Sequence, residues 1–251
     1  MNKTLNYTLI IIIGLGLAPQ LGSAPRLAQG GELSRTAQIK INSNLTYASR
    51  YIWRGFDALY PNRSALQPSV TLSLEKKGLW LNLWSAIALA DTNYVELDLI
   101  FGYDKELNEN ISLCSGIGFF TFPSFSGYPD KNSVSPEVWL GARFASTFFS
   151  PEMISYYDFN LGDGFYFTLK LSRNFSILKK NLSLCSILGY TTQYKKIGIK
   201  SGWSDISLGI STDFIYKKLT VTPSANYMFT LNKTINKDNE YWVGLCVGFQ
   251  P

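Results

Sequence analysis

The stretch FYFTLKLS, residues 165–172, alternates between two kinds of side chain. Positions 165, 167, 169 and 171 carry large apolar side chains, whereas positions 166, 168, 170 and 172 carry Tyr, Thr, Lys and Ser. Successive side chains of a β-strand point to opposite faces, so a period of two residues is typical of a strand with one apolar and one polar face. The stretch therefore predicts a strand that lies between an apolar medium and a polar one.

The same alternation recurs along the chain beyond about residue 37 and defines twelve predicted strands. The first covers residues 39–54 and places Tyr51 and Trp53 on its apolar face, with Arg50 and Arg54 on its polar face. The other eleven cover residues 66–75, 79–87, 95–103, 111–122, 134–144, 154–159, 165–172, 182–190, 206–215, 219–229 and 241–249. The run at 154–159 is the weakest, so ten or fourteen strands remain open beside twelve.

A membrane barrel explains this pattern better than a soluble β-sandwich, whose strands also alternate. Many predicted strands have about nine to eleven residues, the length that a tilted strand needs to cross a bilayer. The chain has 15% aromatic and only 16% charged residues, and aromatic girdles are expected near the strand ends of such a barrel. The aromatic residues near the predicted strand ends are Tyr51, Trp53, Phe56, Trp80, Trp84, Phe119, Phe120, Phe122, Tyr156, Tyr157, Phe159, Tyr241 and Trp242. We therefore predict an all-β, transmembrane, antiparallel up-and-down barrel.

The N-terminus has the features of a secretory signal peptide. Lys3 is followed by an apolar run over residues 9–18, which is shorter than the roughly 20 residues of a spanning helix. Cleavage is predicted near residue 24 or residue 30, with an uncleaved anchor helix as the alternative. Residues 1–30 are thus assigned to the signal peptide and residues 31–251 to a barrel in the outer membrane of a Gram-negative-type bacterium.

The connections predict the orientation of the barrel. From a periplasmic N-terminus, every second connection should be a short turn, and the Lys-rich segments 76–78 and 217–218 fit that role. The intervening segments, such as 123–132 and 191–201, are longer and are predicted to face outside. Both termini are then periplasmic, and the alternating apolar tail that ends at Phe249 resembles the signal read by the barrel-assembly machinery.

Three short motifs resemble the family of outer-membrane porins typified by TorF. YIWRGF at 51–56 follows LTYASR at 45–50, PEVWLG lies at 136–141, and YYD at 156–158 precedes GFYF at 164–167. The resemblance covers most of the chain after the signal peptide. It implies an outer-membrane barrel with a porin-like role and carries over no catalytic residue.

The absence of His limits the chemistry of the chain. Nucleophile systems built on Ser–His or Cys–His pairs, and metal sites that use His, are excluded. Glu96, Asp98 and Glu137 fall on the inward phase and leave carboxylate chemistry open, but buried acids commonly pair with lumen cations. We predict no catalytic residue, no metal site and a set of charged residues that line the pore: Arg50, Arg54, Glu96, Asp98, Glu137, Arg143 and Lys170.

The three cysteines also fall on the inward phase. Cys114, Cys185 and Cys246 lie on well-separated predicted strands, and a disulfide needs Cα atoms within about 7 Å. We expect small lumen-facing residues in preference to a disulfide, and no cofactor motif accompanies them. The net charge of +5 is spread over predicted turns, so no nucleic-acid partner is expected.

These patterns predict a porin-like channel for small polar solutes or ions, filtered by charged side chains in the lumen. A non-conducting structural or adhesive barrel is the first alternative. An enzyme that uses carboxylates on envelope substrates is the second alternative, although the expectation is that the protein is not an enzyme. The predicted partners are outer-membrane lipid, the barrel-assembly machinery during biogenesis, and the small solutes or ions themselves.

Overall fold

The computed structural model describes residues 39–59, 61–89, 95–123, 134–145, 148–177 and 180–250. The predicted signal peptide with both cleavage sites lies outside these ranges, as do residues 90–93 and most of the segment 123–132. No helix within the described ranges has the length and apolar character needed to cross a membrane.

Fifteen strands and two short 3₁₀ helices make up the described chain. The 3₁₀ helices are Glu75–Lys77 and Lys195–Ile197. The strands are β1 (Ile39–Ala48), β2 (Ile52–Trp53), β3 (Phe56–Asp57), β4 (Ala65–Leu74), β5 (Leu79–Ala88), β6 (Val95–Glu106), β7 (Ile111–Thr121), β8 (Val134–Phe144), β9 (Ser150–Asp158), β10 (Gly164–Ile177), β11 (Lys180–Thr191), β12 (Gly202–Thr212), β13 (Phe214–Tyr216), β14 (Leu219–Thr230) and β15 (Glu240–Phe249).

Twelve of the strands form one closed antiparallel barrel. Strands β4 to β12 pair in chain order, β12 pairs with β14, β14 with β15, β15 with β1, and β1 with β4. The short strand β13 continues the line of β12 beyond Asp213 and pairs with β14. The predicted fold class and the number of twelve strands are therefore confirmed, and the uncertain seventh strand is the nine-residue β9.

The connections divide into two groups at opposite ends of the barrel. One end has the turns at 75–78, 107–110 and 217–218. The other end has the longer segments at 49–64, 192–201 and 231–239, with the shorter 159–163. We call these the turn end and the loop end. Both chain termini of the barrel, at β1 and β15, lie at the turn end.

The outer surface is apolar along the whole circumference. Leu97, Leu169 and Leu208 are 49%, 36% and 43% exposed, while Asp98 and Ser207 beside them are each 3% exposed. An apolar belt around a closed barrel is typical of a surface that faces lipid. The predicted register of these strands is confirmed.

Near the loop end, the outer surface carries a band of touching aromatic rings. Ring centroids lie 4.7 Å apart for Tyr157 and Phe165 and 5.3 Å apart for Tyr190 and Trp203. Such rings suit the boundary between lipid and water. The prediction of outer girdles is wrong, however, for nine residues that pack inside the barrel or lie on the segment that enters its mouth: Tyr51, Trp53, Phe56, Trp80, Trp84, Phe120, Phe122, Tyr156 and Trp242.

The first predicted strand is also too long. Strand β1 ends at Ala48, after which the chain leaves the barrel wall and makes the small hairpin of β2 and β3. Tyr51, predicted to face outward, is 1% exposed. Alternation misplaced it because an aromatic side chain packs as well against other aromatics in the lumen as against lipid.

Candidate functional site

The segment between β1 and β4 folds into the mouth of the barrel at the loop end. Tyr51 donates a hydrogen bond of 2.8 Å from its hydroxyl group to Glu96 on β6. On the opposite side, Ile52 packs against Met228 and Trp242 of β14 and β15. Because this segment touches strands on both sides of the lumen, it crosses the interior. We call residues 51–58 the lumen hairpin. Its two ends are joined by a hydrogen bond of 2.8 Å from the Ala58 amide to the Tyr51 carbonyl.

The turn of the lumen hairpin consists of Arg54 and Gly55. Their φ angles are +50° and +85°, and positive values at both central positions are characteristic of type I′ hairpin turns. Glycine adopts such a φ readily, whereas the same conformation is uncommon for Arg. The turn sits deep in the mouth, because a Cβ added at Gly55 would lie 3.2 Å from the Asp205 Oδ1 atom of β12.

The side chain of Arg54 is held by one carboxylate and three aromatic rings, one of which is Trp53 of the lumen hairpin, 4.5 Å from the guanidinium carbon. Its Nη1 and Nη2 atoms donate to the two carboxylate oxygens of Glu137 at 2.5 and 2.6 Å. The guanidinium carbon lies 4.5 Å from the ring centre of Tyr156 and 5.0 Å from that of Tyr166. The side chains of Arg54 and Glu137 are 9% and 1% exposed. This is a nearly dry, two-point ion pair with aromatic faces around the cation.

A second ion pair joins the base of the hairpin to β15. Arg50 pairs with Glu240, and its guanidinium carbon lies 4.3 Å from the ring centre of Tyr241. The other oxygen of Glu240 accepts a hydrogen bond of 3.0 Å from Asn236. The Arg50 side chain is 15% exposed, so this pair is better hydrated than that of Arg54.

The two acids of β6 are buried residues of the barrel wall itself. Glu96 and Asp98 are 2% and 3% exposed, and Asp98 is the cross-strand neighbour of both Trp84 and Phe120. Neither carboxylate oxygen of Asp98 has a hydrogen bond of normal geometry. The backbone amide of Thr121 lies near the carboxylate and interacts with it electrostatically.

A separate charged group lies toward the turn end. Arg143 bonds to Asp104 at 2.6 Å and to Glu152 at 2.5 Å, and Lys170 lies 3.9 Å from Glu152. Trp80 also donates to Asp104 at 2.8 Å. All seven residues predicted to line the pore thus point into the barrel, in one group at the mouth and another toward the turn end.

Sequence reasoning missed several acids of the lumen. Asp104 continues the inward phase of Glu96 and Asp98, so the alternation of β6 carried the signal. Glu152 was missed because it precedes the predicted start of the weakest strand. Asp205 was missed because its predicted strand began one residue later, and a bulge between β11 and β12 shifts the register there.

Two walls of different character enclose the lumen. On the side of β5 to β10, aromatic and aliphatic side chains pack around the charged groups, and the rings of Trp80 and Trp139 are stacked 6.1 Å apart. On the side of β12, β14, β15, β1 and β4, the inward side chains are mostly small hydroxyls and amides. We call these the aromatic wall and the polar wall.

The three cysteines belong to neither a disulfide nor a metal cluster. Cys114, Cys185 and Cys246 are all free and buried, each on an inward position as predicted. Within the described ranges, no group of three or more acidic or Cys side chains is arranged to hold a metal ion.

Comparisons with known proteins agree with the barrel fold. Residues 33–239 match the sequence model of the family described as "Bacterial protein of unknown function (Gcw_chp)". No curated protein matches the chain in sequence.

Among solved structures, the KdgM porin is similar over 83% of this chain and 98% of its own, with 11% identity and a TM-score of 0.57. The NanC porin is similar over 84% of this chain and 100% of its own, with 10% identity and a TM-score of 0.55. LpxR from Salmonella typhimurium is similar over 83% and 99%, with 9% identity and a TM-score of 0.53. At these identities the likeness shows a shared fold.

Proposed function

The chain belongs to the bacterial protein family of unknown function described as Gcw_chp, and we propose that it acts as a porin-like channel in the outer membrane. Its loop end faces outside, and both chain termini of the barrel, at β1 and β15, face the periplasm. The apolar outer belt and the porin fold of KdgM and NanC support this location. The resemblance to TorF-like porins points the same way and stays a prediction.

The observation that carries the proposal is the polar wall. Asn42 Oδ1, Gln67 Nε2 and Asn226 Oδ1 are buried, face the lumen and have no hydrogen-bond partner in the described part of the protein. A buried polar atom without a partner costs about 1–3 kcal/mol, so contact with water or with a polar solute would stabilise these side chains. A wall of such polar side chains is what a path for small polar solutes requires.

The charged groups supply the filter of this channel. Arg54 and Arg50 at the mouth, and Arg143 with Lys170 toward the turn end, are each paired with acids. A solute that moves through the lumen between the two walls therefore meets two charged levels, and rings of charge bias which ions enter a pore. The lumen hairpin narrows the outer level.

Solute passage can be tested by swelling of liposomes that contain the refolded protein. We expect swelling with small neutral solutes such as glycerol or a pentose, and slower swelling as the solute becomes larger. Gln67→Leu together with Asn226→Leu should slow swelling because both changes remove polar groups from the path. A matched control is Leu97→Val, on the outer face. Folded protein that permits no swelling by any solute would contradict the proposal.

A non-conducting barrel is the second candidate function. The observation that favours it is the filled interior, since the lumen hairpin and the aromatic wall together occupy much of the mouth. In that case the protein would act by binding partners through the segments at its loop end. The same swelling measurement separates the two candidates.

We also propose that the protein is not an enzyme. Glu137 is occupied by Arg54, and Glu96 accepts a hydrogen bond from Tyr51. Asp98 is 3% exposed and lies between Trp84 and Phe120 on the neighbouring strands. A carboxylate general acid or base must instead be within reach of a substrate proton. Hydrolysis of an envelope lipid that is lost in Glu96→Gln or Asp98→Asn would contradict this.

A further inference from the structure

Apart from Trp53, which precedes Arg54 in the lumen hairpin and lies 4.5 Å from its guanidinium carbon, the groups that hold Arg54 lie in the barrel wall or directly after it and form a cradle. Glu137 lies on β8, Tyr156 on β9 and Tyr166 on β10, and Gln193 follows β11. The Gln193 Oε1 atom lies 3.4 Å from Arg54 Nη1. The cradle thus offers two carboxylate oxygens and one amide oxygen to N–H donors, together with two aromatic faces.

This arrangement suits a guanidinium group in particular. A guanidinium is planar, carries its donors in a fork that matches a carboxylate, and stacks on aromatic rings. An ammonium group lacks this planar fork of donors and would not match both carboxylate oxygens of Glu137 with two parallel hydrogen bonds.

The cradle is fixed without help from the lumen hairpin. Tyr156 and Tyr166 are cross-strand partners with ring centres 6.2 Å apart. Gln193 is anchored by its own Nε2 atom, which donates to the Gly164 carbonyl at 3.2 Å. These residues sit in or beside long strands, whereas Arg54 projects from a hairpin with two residue pairs. The site therefore exists on the wall, and Arg54 is its tethered occupant.

We infer that Glu137, Tyr156, Tyr166 and Gln193 form a binding site for guanidinium-bearing solutes, which displace Arg54 and lift the lumen hairpin from the mouth. The inference names a solute class for the proposed channel and rests on that function for its physiological meaning. The binding itself does not require conduction. The barrel would then admit such a solute by exchanging one guanidinium group for another in the same cradle.

The first test adds a small guanidinium compound to a variant in which the side chain of Arg54 has been removed from the cradle. In Arg54→Ala, methylguanidine should raise the unfolding temperature in detergent, whereas methylurea, a neutral molecule of similar shape, should not. Arg50→Ala is the matched control, because the site left by Arg50 has one ring at 4.3 Å and is more exposed. We expect little rescue there. The rescue of Arg54→Ala should also disappear when Glu137→Gln is added.

The second test uses the intact cradle and avoids any variant of Arg54 that fails to fold. Ala58→Cys places a thiol at the end of the lumen hairpin, and a membrane-impermeant maleimide measures its accessibility in the refolded barrel. Methylguanidine should increase the labelling rate by several fold, and methylurea should leave it unchanged. The parent protein, with its three buried cysteines, gives the background.

Equal effects of methylguanidine and methylurea in both tests would overturn the inference. Rescue of Arg54→Ala without any change in labelling would also overturn it, because Arg54 would then be a permanent brace. Failure of liposome swelling alongside positive binding would contradict the proposed channel and leave the guanidinium site standing.

Discussion

At the scale of single residues, a few buried charges determine how the mouth of the barrel is held. A buried ion pair adds little net stability, because desolvation offsets the attraction between the charges. It does make one arrangement strongly preferred, since either partner alone would be a buried, uncompensated charge. The pair of Arg54 and Glu137, with side-chain exposures of 9% and 1%, is of this kind. It therefore specifies where the lumen hairpin docks more than it stabilises the barrel.

Arg54→Gln should lower the free energy of unfolding by about 3–5 kcal/mol, because it leaves Glu137 buried and unpaired. Arg50→Gln should cost less, since Arg50 is better hydrated and Asn236 still bonds to Glu240. Urea unfolding of the two variants in lipid vesicles gives the comparison. Adding Glu137→Gln to Arg54→Gln should recover part of the loss. Equal losses for the two single variants would show that the docking of Arg54 is not special.

The outer face offers a second comparison between neighbouring residues. An Arg at the midplane of the lipid face of a barrel costs about 2–4 kcal/mol. Leu169 points outward and Thr168 inward on β10, so Leu169→Arg should impair folding into bilayers far more than Thr168→Arg. Folding yield, read from the mobility of unheated samples on gels, measures the difference. Similar yields would mean that the register of β10 is wrong.

At the scale of elements, the aromatic wall depends on glycines in the strands beside it. A Cβ added at Gly102 would lie 2.1 Å from the indole ring of Trp80, and one at Gly116 would lie 2.1 Å from that of Trp139. Glycine in a strand commonly marks such a close approach. The two indoles lie flat against neighbouring strands for this reason, and they support the cradle of Arg54 from the side of the turn end.

Gly102→Ala should therefore destabilise the barrel by about 1–3 kcal/mol, the usual cost of overpacking. Gly248→Ala is a matched control on the polar wall, where the added carbon would meet only the end of the Asn44 side chain at 2.8 Å. Thermal unfolding, together with the near-ultraviolet signal of the tryptophans, distinguishes the two. A Gly102→Ala protein as stable as its control would contradict the packing described for the aromatic wall.

The elements also show what sequence reasoning could and could not reach. Period-two alternation predicted twelve strands because lipid imposes the same outward pattern on each of them. It extended β1 through Arg54 because the lumen hairpin keeps an extended, alternating sequence after the chain has turned inward. The inward phase predicted that lumen acids pair with Arg54, and the pair with Glu137 agrees with this. Which acid would be the partner could not be predicted, since it depends on where a loop docks across the lumen. The inward phase of Glu137, by contrast, followed from β8 alone.

At the scale of the whole molecule, the protein is a barrel with unequal ends and an obstructed mouth. The long segments at 49–64, 192–201 and 231–239 share the loop end, so this end is expected to face outside. Lys237 lies in a loop at the loop end, and Lys77 lies in a tight turn at the turn end. Lys237→Cys and Lys77→Cys therefore place one thiol at each end of the barrel. In intact cells, an impermeant maleimide should label the first and not the second. Labelling with the opposite sidedness would reverse the orientation and place the lumen hairpin on the periplasmic side.

Single-channel recording tests the central claim most directly, by comparing the refolded parent protein with a variant in which residues 51–58 are replaced by Gly-Gly. The hairpin crosses the mouth and contacts both sides of the lumen, so the parent should show small or brief openings. The variant should show a larger and steadier conductance, because the polar wall then remains open along its length. If both proteins insert as folded barrels and neither conducts, the channel account is wrong.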